Sequence, residues 1–195
     1  EMQWSLVGSE MCIRDSDCTG GHSYGTYQIA TKTGTMKQFL IFLSEHNPEC
    51  AAKLNTAGGV NGAREKSTAF EAAWTELACD PSFAESQRAF IQATHYEPFA
   101  DHLEGIGLDV RSRSFALKNV VWSTAVQHGP NNKVFDNALR DTQADNLSDE
   151  EIINLVYDER SKVNKYFSSS TNSVKRGVLK RFKNECEEAL KLLIA

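Results

Sequence analysis

The stretch Phe115-Ala-Leu-Lys-Asn-Val-Val-Trp-Ser-Thr-Ala-Val-Gln127 is strongly apolar, and its apolar residues lie nearly all the way round a helical projection. A helix that is hydrophobic on every side is buried by its neighbours. This stretch therefore predicts a central helix. It ends at His128-Gly-Pro130, where a glycine followed by a proline is a typical helix stop.

Helical patterns continue on both sides of the central stretch. Gly34-Thr35 opens one, Ser67 and Asp80-Pro81 are typical N-terminal signals, and Ser148-Asp-Glu-Glu151 is a capping box. The apolar residues at helical spacing are Met36, Phe39, Leu40 and Leu43; Phe70, Ala73, Trp74 and Leu77; Phe83, Phe90 and Ile91; Ile152, Ile153, Val156 and Tyr157; and Val174, Val178, Phe182, Cys186, Ala189, Leu190 and Leu193. Residues 55–66 hold three glycines without a period and are predicted to be a loop. No stretch alternates long enough to predict a strand, so we expect a mostly α domain.

Composition narrows the classes of function. The chain has 195 residues, 41% of them hydrophobic and 24% charged, with a net charge of −5. An acidic balance disfavours binding to nucleic acid or to a membrane surface, both of which need a basic face. Five cysteines show no CxxC spacing and five histidines show no HExxH pattern, so we expect no metal and no cofactor. The five cations from Lys175 to Lys183 are interpreted as a solvated helix face.

The densest polar constellation is Asp17-Cys-Thr-Gly-Gly-His-Ser-Tyr-Gly-Thr-Tyr-Gln28. Glycines let a backbone approach a ligand closely. Tyrosine supplies a flat face for a sugar ring, and glutamine bonds to hydroxyls or amides. This inventory suits a carbohydrate. The alternative is a glycine-rich turn whose tyrosines belong to the core.

A second constellation, Trp122-Ser-Thr-Ala-Val-Gln-His-Gly129, places polar groups on the central helix. These groups could face a cleft, or His128 could be a buried histidine with its hydrogen bonds satisfied. Cys18 and His128 could form a nucleophilic pair, but no sequence signature supports that hypothesis.

The segment from Asp17 to Met36 resembles the front motif of a bacterial group of peptidoglycan hydrolases. That group includes the lysozyme- or chitosanase-like C-terminal domains of type VI secretion spike proteins. Trp122–Pro130 is similar to its second motif, and Ile152–Arg160, with Tyr157, to a third. The resemblance covers roughly residues 17 to 190 and implies a lysozyme-like or chitosanase-like helical domain with two lobes and a cleft.

The resemblance also implies a pair of carboxylates. One is the loop aspartate, here Asp17, and the other is a glutamate followed by Ser-Gly about a dozen residues earlier. An acid protonates the leaving oxygen, and the second carboxylate activates water or stabilises the cation. No Glu-Ser-Gly precedes Asp17, and Glu10 lies only seven residues before it. Residues 5–16 resemble a translated sequencing adapter. We therefore expect residues 1–16 to be a non-native lead, residues 17–195 to be one domain, and the natural acid to be missing.

The expected function is cleavage of peptidoglycan glycan strands, as by a muramidase. Asp17 and Glu10 are the candidate catalytic residues. The candidate substrate contacts are Thr19, Ser23, Tyr24, Tyr27, Gln28, Trp122, Ser123 and His128. A chitosanase and an inactive glycan-binding module are the alternatives. No signal peptide is visible, so the sequence alone does not place the compartment. The expected site of action is the bacterial cell wall, in the periplasm or outside the cell. A domain of a larger secreted effector, a prophage lysin and a free enzyme are all open alternatives.

Overall fold

Helices dominate the computed structural model, which describes residues 13–14 as backbone only and residues 21–194 in full. The α-helices in these residues are α1 Thr35–His46, α2 Pro48–Thr56, α3 Gly59–Glu65, α4 Thr68–Leu77, α5 Pro81–Ile91, α6 Glu97–Gly105, α7 Phe115–His128, α8 Val134–Ala138, α9 Asp149–Arg160, α10 Val163–Tyr166 and α11 Asn172–Leu192. A π-helical turn, Gln92–Tyr96, follows α5, and 3-10 turns lie at Val110–Ser112 and Ala144–Asn146. The prediction of a mostly α chain is confirmed.

The predicted helix starts are confirmed by their caps. The Ser67 hydroxyl accepts a hydrogen bond from the Phe70 amide, and the Asp80 carboxylate accepts one from the Ser82 amide. Ser148 and Glu151 form both halves of the capping box. Each cap satisfies backbone N–H groups that a helix leaves unpaired in its first turn. Gly129, with φ 83°, ends α7 as its Gly-Pro signal predicts.

Residues 55–66 are not the predicted loop. Helix α2 runs to Thr56 and α3 occupies Gly59–Glu65. Gly58 turns the chain between them at φ 111°, and a Cβ on Gly62 would lie 2.8 Å from the Ala57 carbonyl oxygen. The glycines therefore serve a tight turn and a close approach of backbone, which a search for helical periodicity does not register.

The chain also contains a small antiparallel sheet, which the sequence analysis did not predict. Its strands are β1 Ile13–Arg14, β2 Ser23–Tyr24 and β3 Ile29–Ala30, in the order β1-β2-β3. A strand of two residues is too short for alternation to be visible. Strand β1 belongs to the segment expected to be a non-native lead, and its origin stays a prediction.

The chain divides between Gln92 and Ala93 into two compact units. In the N-terminal unit, Phe39 of α1 packs against aromatic rings of α4 and α5, namely Trp74, Phe83 and Phe90. In the C-terminal unit, α7 lies in the core, with its residues from Ala116 to Ala125 largely buried. The prediction of α7 as a buried central helix is confirmed there, except that Phe115 at its start is 45% exposed.

Helix α11 packs on α7 and α9 through part of its predicted face. Phe182 and Ala189 are buried, whereas Val174 in its first turn is 51% exposed. Within residues 21–194, none of the helices has the length and apolar character needed to cross a bilayer.

Candidate functional site

The glycine-rich motif forms a hairpin of β2 and β3 with a loop of four residues, Gly25 to Gln28. Tyr24 anchors this hairpin in the N-terminal unit. Its side chain is fully buried, its ring packs against Phe70 and Trp74 with centroids 5.2 Å away, and its hydroxyl donates to the Ala63 carbonyl oxygen at 3.0 Å. Tyr24, predicted as a substrate contact, is therefore placed in the core, which was the alternative for this motif.

The loop needs left-handed backbone at both of its ends. Gly25 has φ 72°, and a Cβ there would collide with Oε1 of Gln87 and lie 3.0 Å from Cζ2 of Trp74. Gln28 has φ 53° although it is not a glycine, and its side-chain amide and backbone N–H both donate to the Gly25 carbonyl oxygen, at 3.0 and 3.1 Å. A residue other than glycine is strained in the left-handed region and stays there only where its surroundings hold it, as these two hydrogen bonds do. The loop conformation is thus specified from both ends.

The remaining polar side chains of the hairpin stay at the surface. Ser23, Thr26, Tyr27 and Gln28 are each half-buried, and Ser23 lies on the opposite face of the strand from buried Tyr24. The structure therefore brings Ser23, Tyr27 and Gln28 of the predicted contacts to one hairpin. The predicted catalytic residues Asp17 and Glu10, the predicted contact Thr19, and Cys18 lie outside the described residues.

The second constellation is organised around a carboxylate that the sequence analysis did not select. Glu185 of α11 accepts hydrogen bonds through Oε2 from the Ser123 hydroxyl at 3.1 Å and from the Tyr157 hydroxyl at 3.4 Å. Nη1 of Arg160 lies 3.4 Å from the same oxygen, and Nε of Arg181 lies 3.2 Å from Oε1. We call Ser123, Tyr157, Arg160, Arg181 and Glu185 the Glu185 network. It ties α7, α9 and α11 together.

Arg160 is the buried charge of this network. Its side chain is fully buried, Nη2 donates to the Ser123 hydroxyl at 3.1 Å, and its guanidinium stacks 4.3 Å from the Phe182 ring centroid and 4.9 Å from that of Tyr157. Such stacking compensates part of the desolvation of the cation. Burial raises the pKa of Tyr157 far above its ordinary value, so this hydroxyl stays protonated and donates. The network therefore holds charge in a fixed arrangement.

Trp122 and His128, both predicted contacts on α7, have packed surroundings. Trp122 is 2% exposed and its ring lies 5.6 Å from that of Tyr96. His128 is half-buried against the rings of Tyr166 and Phe167, at 5.3 and 5.7 Å. Burial, together with the charges of Arg160 and Arg181, lowers the pKa of His128 to about 4. The imidazole is therefore neutral at neutral pH. Its Nε2 is buried without a hydrogen-bond partner among the described residues, so the alternative of a histidine with satisfied hydrogen bonds is not met.

The two constellations differ in what they offer to a ligand. The hairpin has half-buried hydroxyl, amide and aromatic groups next to backbone of unusual conformation, whereas the Glu185 network is centred on a fully buried guanidinium. Glu185 lies 62 positions from Ser123, and Gln87 lies 62 positions from Gly25, so no local signal linked them. The second and third motifs already contained Ser123, Tyr157 and Arg160, but nothing in the sequence linked them to Glu185.

Residues 8–186 match the family described as "Type VI secretion system spike protein VgrG3-like, C-terminal". The chain belongs to this family. A relative is the type VI secretion system spike protein VgrG3 of Vibrio cholerae serotype O1 (strain ATCC 39315 / El Tor Inaba N16961), which is 30% identical over 141 residues. The match covers 71% of this chain but 13% of VgrG3, so the chain spans only a small part of the curated relative's length.

Solved chitosanases share the fold. Chitosanase OU01 with substrate has a TM-score of 0.62 at 16% identity, over 91% of this chain and 81% of the chitosanase. The Gynuella sunshinyii GH46 chitosanase GsCsn46A with chitotetraose has a TM-score of 0.59 at 12% identity, over 95% and 78%. The native chitosanase of Bacillus subtilis MY002 has a TM-score of 0.57 at 17% identity, over 94% and 78%. The predicted lysozyme-like, chitosanase-like all-α fold is confirmed.

Proposed function

We propose that this domain is a glycoside hydrolase that cleaves the glycan strands of peptidoglycan, with a muramidase-type specificity. The observation that carries the proposal is the β2–β3 hairpin, in which buried Tyr24 and the left-handed backbone of Gly25 and Gln28 hold a polar surface of Ser23, Tyr27 and Gln28. Membership in the VgrG3-like C-terminal family and the chitosanase fold support glycan as the ligand.

Asp17 is proposed as the catalytic base, because it opens the motif that the hairpin completes. A glycosidase also needs a protonated carboxyl group beside the leaving oxygen. Glu10 is the candidate within the printed sequence, and a glutamate outside it is the other. Thr19, Ser23, Tyr27 and Gln28 are proposed to contact sugar hydroxyls and a ring face. Tyr24 positions the hairpin. Trp122, Ser123 and His128 lie in the C-terminal unit, and their contact with glycan is a separate prediction.

The test compares Asp17→Asn with Asp141→Asn in clearing of purified peptidoglycan sacculi, with both substitutions made in a longer chain that carries the upstream glutamate. Asp141 is exposed in the C-terminal unit and serves as the matched control. Loss of a carboxylate that moves a proton costs roughly 10²–10⁴ in rate, so Asp17→Asn should nearly abolish clearing while binding to sacculi persists. Equal clearing by the two variants would remove Asp17 from the mechanism.

The acid is assigned by Glu10→Gln. We expect the 195-residue chain to bind sacculi and to clear them slowly, because proton donation to the leaving group is missing. Brisk clearing that disappears in Glu10→Gln would instead make Glu10 the acid. Fast clearing by a longer natural chain that survives Glu10→Gln but not Asp17→Asn would place the acid outside the printed sequence.

Chitosan is the second candidate substrate, since the solved structures that share the fold are chitosanases. Product analysis on chitosan and on sacculi with the same enzyme sample separates the two activities. Binding to sacculi without product from either polymer, in the printed and the longer chain alike, would favour an inactive glycan-binding module. As part of a larger secreted protein, the domain would meet the cell wall outside the cytoplasm.

A further inference from the structure

The first half of α11 carries a concentration of positive charge that the proposed mechanism does not use. Five cations occur between Lys175 and Lys183, and residues 172–183 include no acid. Three of these cations, Arg176, Lys180 and Lys183, are spaced i, i+4 and i+7 and are all exposed. This spacing puts them on one face of the helix over roughly 10 Å. We call these three residues the basic stripe.

The basic stripe takes no part in holding the fold together. Within residues 21–194, Arg176, Lys180 and Lys183 make no salt bridge or side-chain hydrogen bond. Neighbouring cations do: Arg181 pairs with Glu185, Lys175 donates to the Asn164 side chain at 3.1 Å, and Lys162 and Lys165 pair with Glu159. Like charges one turn apart on a helix repel. The exposed Glu187, one turn after Lys183, forms no salt bridge with it within residues 21–194.

Packing fixes the direction of the basic stripe. Phe182 and Ala189 bury the opposite side of α11 in the core of the C-terminal unit, so rotation of the helix cannot hide the cations. The chain as a whole carries a charge of −5. A local surface of three unpaired cations on an acidic protein attracts an anionic partner and focuses it there.

We propose that the basic stripe binds the carboxylates of the peptide stems of peptidoglycan. The inference rests on the proposed function and adds a substrate preference to it: anionic cell-wall glycan is favoured over polycationic chitosan. Charge complementarity carries the assignment, because peptide stems present free carboxylates along the strand whereas chitosan presents ammonium groups. The basic stripe is a binding surface and takes no part in bond cleavage.

An anionic lipid surface fits the structure less well. A membrane-bound amphipathic helix inserts its apolar face between lipids, but the apolar face of α11 is packed against α7 and α9. Val174 is exposed on the far side of the helix from Arg176, where it cannot insert together with the basic stripe. Binding to an anionic lipid surface is therefore the alternative that the test must distinguish.

The test compares two triple variants of the full chain in co-sedimentation with sacculi. One is Arg176→Gln, Lys180→Gln and Lys183→Gln. The matched control is Lys37→Gln, Arg64→Gln and Arg88→Gln, which removes one Lys and two Arg at exposed positions of the N-terminal unit. The variant that lacks the three charges of the basic stripe should bind sacculi about tenfold more weakly than the parent at about 0.05 M salt. This difference should vanish at about 0.5 M salt. Both variants should keep the parent's thermal midpoint.

Two further binding measurements identify the anionic group that the basic stripe binds. Sacculi whose carboxylates have been amidated should bind the parent and the stripe variant equally. Vesicles containing phosphatidylglycerol should bind the parent more weakly than sacculi do. Stripe-dependent binding that is tighter to vesicles than to sacculi would overturn the assignment. Equal binding of both triple variants to native sacculi would overturn the role of the basic stripe alone and leave the Asp17→Asn test of the proposed function intact. A parent protein that binds no sacculi would overturn both the role of the basic stripe and the proposed function.

Discussion

The β2–β3 hairpin and the Glu185 network are held in place by opposite means. The hairpin is specified by packing and backbone: Tyr24 fills the core, and Gly25 and Gln28 adopt left-handed conformations. The network is specified by charge, since a fully buried Arg160 shares Glu185 with Ser123 and Tyr157. The hairpin holds the half-buried side chains of Ser23, Tyr27 and Gln28 near the surface, whereas the network buries its central charge. Binding is expected of the first region and rigidity of the second.

The largest effect is expected when the charge balance of the network is broken. Glu185→Gln leaves the Arg160 guanidinium buried without its counter-charge, and such a loss destabilises by about 3 kcal/mol, the lower end of the range for buried pairs. Glu187→Gln, on the same helix but exposed, should change stability by less than about 0.5 kcal/mol. Urea denaturation of both variants measures the difference, and equal stabilities would show that the network is not structural.

A single methyl group added at Gly25 should destabilise the hairpin. Gly25→Ala must keep φ 72° and displace Gln87 or Trp74, which should cost about 2–3 kcal/mol, of which about 1–2 kcal/mol is left-handed strain. Gly177→Ala is the control: it lies within α11 with no atom within 4 Å of the added Cβ, and it should stabilise by about 0.5–1 kcal/mol. A stable Gly25→Ala protein would contradict the idea that backbone specifies this loop.

Acidic pH should destabilise the C-terminal unit because His128 becomes protonated when the chain unfolds. The unfolded chain takes up this proton near the ordinary pKa of 6.5, and the folded chain only near a pKa of about 4. Stability is therefore highest above the unfolded pKa and falls as the pH decreases from 6.5 towards 4. The loss amounts to about 2 kcal/mol by about pH 5. Denaturation at several pH values measures the slope, which His128→Gln should flatten and His46→Gln, at an exposed histidine of α1, should preserve.

Local signals were enough to predict most helices. A cap at Ser67, Asp80 or Ser148 and the face that follows it lie within a few residues of each other, so the sequence displays the whole interaction. Helix α3 was missed because the role of Gly62 depends on Ala57 and Ser67 around it rather than on a period. The same residue type marks a loop in one setting and a close helix contact in another.

Site residues were harder to predict because their roles depend on distant partners. Tyr24 is a residue type that often contacts sugars, yet its hydroxyl donates a hydrogen bond to the carbonyl oxygen of Ala63, 39 positions away. Ser123 was selected as a candidate, but Glu185, which accepts its hydrogen bond, was not. The motif forms one hairpin in which Ser23, Tyr27 and Gln28 are half-buried, and their contact with glycan stays a prediction.

The smallest expected effect separates the two tyrosines of the hairpin. Tyr24→Phe removes a buried donor from the Ala63 carbonyl oxygen and should cost about 1–2 kcal/mol of stability, with sacculus binding nearly unchanged because the ring remains. Tyr27→Ala removes a half-buried ring proposed to stack on sugar, so binding should weaken about tenfold, which corresponds to about 1.4 kcal/mol. Thermal denaturation and co-sedimentation are measured on both variants. If Tyr24→Phe were the one to lose binding while keeping its stability, the hairpin would present Tyr24 to the ligand, and the division between a packed anchor and an exposed contact surface would have to be reversed.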